Sequence, residues 1–97
     1  MALNTKPFDA AEYLDDSESQ AELLSEALAS GDINVITSAI GLVARARGMT
    51  ELARETGITR GALYAALKEG GNPTLDTVLK VLKALGVGLE ARTVEHA

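Results

Sequence analysis

The sequence predicts an all-α domain, a compact bundle of about five helices that ends in one short C-terminal β-strand. Three observations lead there. The 97 residues and 10.1 kDa leave room for a single small core. Aromatic residues are only 3%, so that core is built from Leu, Ile, Val and Ala. Along most of the chain, apolar residues recur at helical spacing between capping residues and glycine stops. With 46% hydrophobic and 24% charged residues, the composition is that of a globular chain and not of a disordered one. The absence of cysteine excludes a disulfide scaffold, thiolate metal sites and a cysteine nucleophile together.

The elements follow in order. Pro7-Phe8-Asp9 opens a turn or two of helix through Leu14, anchored by Phe8 and Tyr13, and Asp15-Asp16 breaks it. Ser17 and Gln20 have capping-box spacing and open a helix with Ala21, Leu24, Ala27 and Leu28 on its inner face. Gly31 ends that helix and Asp32 caps the next, whose Ile33, Ile36, Ile40 and Val43 form a core stripe; Gly41 within it marks a close packing contact. Thr50 caps a short helix carrying Leu52 and Ala53, stopped by Gly57. Thr59 caps a second, held inward by Leu63, Ala66 and Leu67. Gly70-Gly71-Asn72-Pro73 is a turn, and Thr74 caps a last helix with Leu75, Val78, Leu79, Leu82 and Leu85 as its stripe. Beyond Gly86 the period changes. Val87, Leu89 and Ala91 alternate with Gly88, Glu90 and Arg92 as in a half-buried strand through Val94. A lone strand needs a partner, which is either the first few residues of the chain or the same strand of a second copy; in the second case a homodimer shares a two-stranded ribbon, and such a homodimer is expected. These elements make one structural domain with three stretches: an acidic helical region over 1–48, a helix-turn-helix region over 49–86, and the strand and tail over 87–97.

Charge is distributed unevenly. The net charge is −5, yet residues 1–34 carry one lysine against eight acids, a net of −7. Residues 35–97 carry eight basic against six acidic residues, a net of +2. Between Leu42 and Lys68 there are five basic residues (Arg45, Arg47, Arg54, Arg60 and Lys68) against two acids. Two surfaces with different partners account for this asymmetry, as do two ordinary solvated faces.

Met49 to Leu67 has the order of a helix-turn-helix: two short helices and a tight glycine turn. Ala53 is small where the second helix crosses, Gly57 reverses the chain, and Ile58 plugs the joint. With Leu63 and Leu67 inward, the outward residues are Arg60, Gly61, Tyr64, Ala65 and Lys68. Such a helix fits the major groove of double-stranded DNA. Arg60, in the first turn behind the Thr59 cap, suits a bidentate contact to guanine; Ala65 suits a base or thymine methyl; Tyr64 and Lys68 suit phosphates. Thr50, Arg45, Arg47, Arg54 and Asn72 are candidate flanking phosphate contacts. So few reading side chains per copy imply a dimer on a near-palindromic operator, with half-sites about 34 Å apart or a multiple of that.

At this point a family resemblance enters. Residues 49–86 resemble the Xre, lambda-repressor-like helix-turn-helix domain through Leu52-Ala53, Gly57-Ile58-Thr59 and Asn72-Pro73-Thr74-Leu75. Where that wider family often has a polar residue before Thr50, this chain has Met49. More narrowly, almost the whole chain resembles the addiction-module antidote family, the HigA-like antitoxins. The stretches that carry this are Pro7–Leu14, Ala44–Thr50, and Gly71–Thr74 continuing to Val81–Gly86. The resemblance implies a DNA-binding antitoxin that neutralises a small basic RelE/ParE-like toxin and represses its own operon. The row Glu18, Glu22 and Glu26 is the candidate toxin-contact face. Its alternatives are a stand-alone Xre-type regulator, or an interaction domain that has lost DNA binding.

An enzyme is not expected. His96 is the single histidine, one residue from the end of the sequence. Asp15-Asp16 reads as loop punctuation, and Gly70-Gly71 and Gly86-Val87-Gly88 lack the context of a phosphate loop. No metal-ligand spacing exists, so neither metal nor cofactor is expected. Without an apolar leader or a membrane-length run, a cytoplasmic protein is expected.

Overall fold

In the computed structural model, which describes residues 16–95, five α-helices form an all-α bundle. The expected Phe8–Tyr13 turn, Asp15 and His96 lie outside the described residues. Helix α1 (Ser17–Ser30) begins one residue earlier than the capping-box reading requires. The cap is Asp16, whose carboxylate accepts from the Ser19 backbone N–H at 2.7 Å and from the Ser19 hydroxyl at 3.2 Å. A carboxylate both satisfies an orphan N–H and faces the positive end of the helix dipole. Gln20 then falls one place past the box position and is buried. Gly31, at φ 69°, ends α1, and Asp32 caps α2 (Ile33–Arg47) by accepting from the N–H groups of Asn34 at 2.9 Å and Val35 at 3.4 Å.

The core runs through α1 and α2 into the shorter helices, with Leu24, Ile40, Val43, Leu52, Leu63, Val81 and Leu82 essentially sealed from solvent. Three expected stripes need correction. On α1, Leu24 and Ala27 are buried and Leu28 half-buried, but Ala21 is exposed. On α2, Ile40 and Val43 are buried and Ile36 is half-buried, but Ile33 is 48% exposed. Ile33 lies within the buried arc but at the first residue of the helix, where nothing covers it. On the last helix, α5 (Leu75–Ala84), the stripe is Val78, Val81, Leu82 and Leu85, while Leu75 and Leu79 stand 70% and 47% exposed.

Helix α3 (Met49–Thr56) follows Gly48 directly and has no side-chain cap. Thr50, expected at the cap, is inside the helix and exposed, and Met49 is buried in the core. Gly57, at φ 77°, turns the chain into α4 (Arg60–Leu67), where Thr59 Oγ1 accepts from the Ala62 N–H at 3.1 Å. The joint is locked locally. The Thr56 hydroxyl donates to the Leu52 carbonyl at 2.7 Å and accepts from the Ile58 N–H at 3.1 Å. Thr74 caps α5 as expected, accepting from the Thr77 N–H at 3.1 Å.

The expected C-terminal strand is absent: no β-strand exists among the described residues. Val87 belongs to the end of α5. Its N–H donates to the Leu82 carbonyl at 2.9 Å and that of Gly86 to Lys83 at 3.0 Å, with Gly86 at φ 78°. This is a Schellman termination, and its hydrophobic contact is what half-buries Val87 against the core. The rest of the alternation has no buried face, since Leu89 is 47% and Val94 67% exposed. The Val87 end of the pattern was a helix stop, and the shared-ribbon dimer built on it falls with the strand.

Candidate functional site

The eight residues of α4 divide cleanly. Leu63 and Leu67 are 0% and 5% exposed and fix the helix to the core. Arg60, Gly61, Tyr64 and Ala65, with the Thr59 cap and Lys68 just beyond the helix, all face solvent. Leu63 and Leu67 are one turn apart, so a single stripe anchors the helix and leaves the opposite arc free. The Arg60 guanidinium lies 5.7 Å from the centre of the Tyr64 ring, a cation–π distance that orders both side chains on the outer face.

Contact with α2 extends this surface. Gly41 is buried where α2 crosses the end of α4, and a Cβ there would lie 2.8 Å from the Leu67 carbonyl oxygen. This is the close approach expected of Gly41. It brings Arg45, one turn further along α2, beside the end of α4. Arg45, Tyr64, Lys68 and Glu69 line a cleft of about 270 Å³ floored by Gly41, Met49 and Leu67. Met49 thus lies beneath the surface and not on it. Glu69 was not singled out from the sequence, in which Gly41 marks a close contact without indicating which helix makes it.

The other candidates are dispersed. Arg47 donates to the Leu85 carbonyl at 2.7 Å, tying the end of α2 to the end of α5. Arg54 pairs with Glu51 at 3.3 Å on the exposed side of α3. Thr50 and Asn72 are exposed, and neither lines this cleft. On α1, Glu18, Glu22 and Glu26 are all exposed, and the two ends of the row border different clefts. Glu18 edges a cleft against Leu85–Gly88. Glu26 edges an apolar groove of about 550 Å³ between α1 and α2, formed by Leu23, Ala27, Val35, Ala39 and Leu42. That groove was not predicted: Leu23, Val35 and Leu42 lie outside both expected core stripes. Among the described residues, no group of three or more His, Cys, Asp or Glu could hold a metal. No helix among them is long and apolar enough to cross a membrane.

The exposed face of α4 and the apolar groove edged by Glu26 are two separate surfaces of this all-α bundle. The chain belongs to the addiction-module antidote family: residues 4–93 match the family described as "Probable addiction module antidote protein". It is also 45% identical to an uncharacterized protein of Haemophilus influenzae (strain ATCC 51907 / DSM 11121 / KW20 / Rd) over 97 residues, covering 100% of both chains. No solved structure matches it. As an antidote, it acts through partnership with a toxin and not as an enzyme.

Proposed function

We propose that this antidote is a HigA-like, Xre-type DNA-binding antitoxin that represses its own operon through α4 while its α1–α2 face neutralises a RelE/ParE-like toxin. The observation that carries the DNA reading is the division of α4, with Leu63 and Leu67 inside and Arg60, Gly61, Tyr64, Ala65 and Lys68 outside. Eight helical residues span about 12 Å, comparable to the width of a major groove. Arg60 at the leading end reaches the base edges, and the open backbone at Gly61 permits close approach. Lys68, Tyr64 and Arg45 then sit where a flanking phosphate passes. On the other surface, a basic toxin presents an apolar anchor to the Leu23–Val35–Leu42 groove and a cation to Glu26. Glu22 and Glu18 extend the negative field along α1.

The test is binding to the DNA upstream of its own coding sequence, measured across a salt series. Arg60→Ala weakens specific binding by about 1–3 kcal/mol and leaves non-specific binding nearly unchanged. Lys68→Ala weakens all sequences alike and reduces the salt slope by about one unit. Binding that ignores both substitutions sinks the assignment of α4 and favours an interaction domain that has lost DNA binding.

A further inference from the structure

The core of this protein is aliphatic, and the single aromatic residue between positions 16 and 95 is Tyr64. It lies outside that core, 45% exposed on the outer face of α4. Its ring is nonetheless seated, because Tyr64 lines the cleft floored by Gly41, Met49 and Leu67. Over the ring lies the Arg60 guanidinium, 5.7 Å from its centre and one helical turn back. Helix stability does not account for Arg60. It is the first residue of α4, where the positive end of the helix dipole disfavours a cation.

The arginines of this fold are held in different ways. Arg54 spends a donor on Glu51, and Arg47 spends one on the Leu85 carbonyl. Arg60 has the Tyr64 ring, and no hydrogen bond or ion pair among the described residues. An aromatic face attracts a guanidinium through its quadrupole and takes none of the N–H groups. A carboxylate would occupy the same donors that guanine O6 and N7 accept. The ring therefore confines the Arg60 side chain while its donors stay available. We propose that Tyr64 is a positioning residue whose ring presents Arg60 to DNA with the guanidinium donors unspent, separately from any contact made by its hydroxyl. This role rests on the DNA-binding reading of α4 and adds that part of the specificity comes from a ring that reads no base itself. A cation–π contact at an exposed site corresponds to a factor of about two to five in an equilibrium. The ring thus supplies a share of the roughly five- to 150-fold discrimination that a bidentate arginine–guanine pair provides.

Two substitutions separate the ring from the hydroxyl. The probe is the duplex upstream of the protein's own coding sequence, its guanines replaced in turn by 7-deazaguanine, which lacks the N7 acceptor. The guanine whose replacement weakens wild type but not Arg60→Ala is the one Arg60 reads, and the ratio of the two Kd values measures discrimination. Tyr64→Phe is expected to keep that ratio while weakening both duplexes alike. Tyr64→Leu is expected to lower it about two- to fivefold. In the free protein, NMR is expected to show Arg60 side-chain protons shifted upfield by the ring in wild type and Tyr64→Phe but not in Tyr64→Leu. Helical circular dichroism is expected to be the same in all three. A ratio that falls equally in the Phe and Leu variants assigns the effect to the hydroxyl and overturns the proposal. So does a ratio unchanged in both, or a wild-type Arg60 with no ring shift. These failures are distinct from that of the underlying reading, which falls, taking this role with it, if wild type binds no upstream DNA or no guanine depends on Arg60.

Discussion

The contact between Gly41 and the Leu67 carbonyl makes a prediction in which even the sign is informative. Replacing a helix-interior glycine with alanine ordinarily stabilises a helix by about 0.5–1 kcal/mol, because the unfolded chain loses freedom. At Gly41 the added Cβ would meet a backbone oxygen at 2.8 Å. Restoring an ordinary contact means moving α2 and the end of α4 apart by roughly half an ångström, and neither partner is a flexible side chain. Overpacking of this kind costs about 1–3 kcal/mol, which exceeds the propensity gain. Gly41→Ala is therefore expected to destabilise the fold by about 1–2 kcal/mol, each kcal/mol lowering Tm by about 4–8 °C in a domain of this size. Gly61 is the matched control: it sits on exposed α4 with nothing within 4 Å of its Cβ position. Gly61→Ala is expected to raise Tm by a few degrees at most. Urea and thermal unfolding of the two variants, side by side, read the result. A Gly41→Ala protein as stable as wild type or more stable would refute the close crossing of α2 and α4, and with it the placement of Arg45 beside Lys68.

Three further outcomes are expected. Thr59→Ala removes the acceptor for the Ala62 N–H and should cost about 1 kcal/mol in urea unfolding, largely recovered by Thr59→Ser. Arg47→Ala removes the donor that reaches the Leu85 carbonyl at 2.7 Å; a loss of about 1–3 kcal/mol is expected, with no change in the salt slope of DNA binding if the side chain is structural. Val35→Glu, on the rim of the α1–α2 groove and 44% exposed, should leave the unfolding free energy within about 0.5 kcal/mol of wild type and weaken capture of the cognate toxin. Retained toxin binding in that variant would move the toxin surface elsewhere.

Local chemistry made most of the fold legible in the sequence. Asp32, Thr59 and Thr74 cap their helices through the hydrogen bonds that their types and positions require, and Gly31, Gly57 and Gly86 stop theirs at positive φ. Periodicity was less informative at helix ends. Ile33 and Leu75 obey the spacing of a core stripe yet are exposed, because a pattern within one helix cannot say how far its neighbour extends. The tail misled for a related reason. Val87 is half-buried by the Schellman turn it completes, and an alternation that begins on such a residue mimics a strand. The outward set on α4 followed from the inward positions of Leu63 and Leu67. Its extension to Arg45 did not, since it depends on a crossing of Gly41 against Leu67, twenty-six positions apart in the chain, marked only by Gly41.

The division of α4 also bears on how such a protein changes over generations. Leu63 and Leu67, which hold the helix in place, share no position with Arg60, Gly61, Tyr64 and Ala65, which stand clear of the core. Substitutions on the outer arc therefore leave packing untouched and fall in the class that shifts stability by only about 0.5 kcal/mol. On the DNA-binding reading, a duplicated copy could drift to a different operator while remaining folded at every step. Two sister modules in one cell would then become insulated from each other's promoters through a handful of surface exchanges, with no redesign of the scaffold.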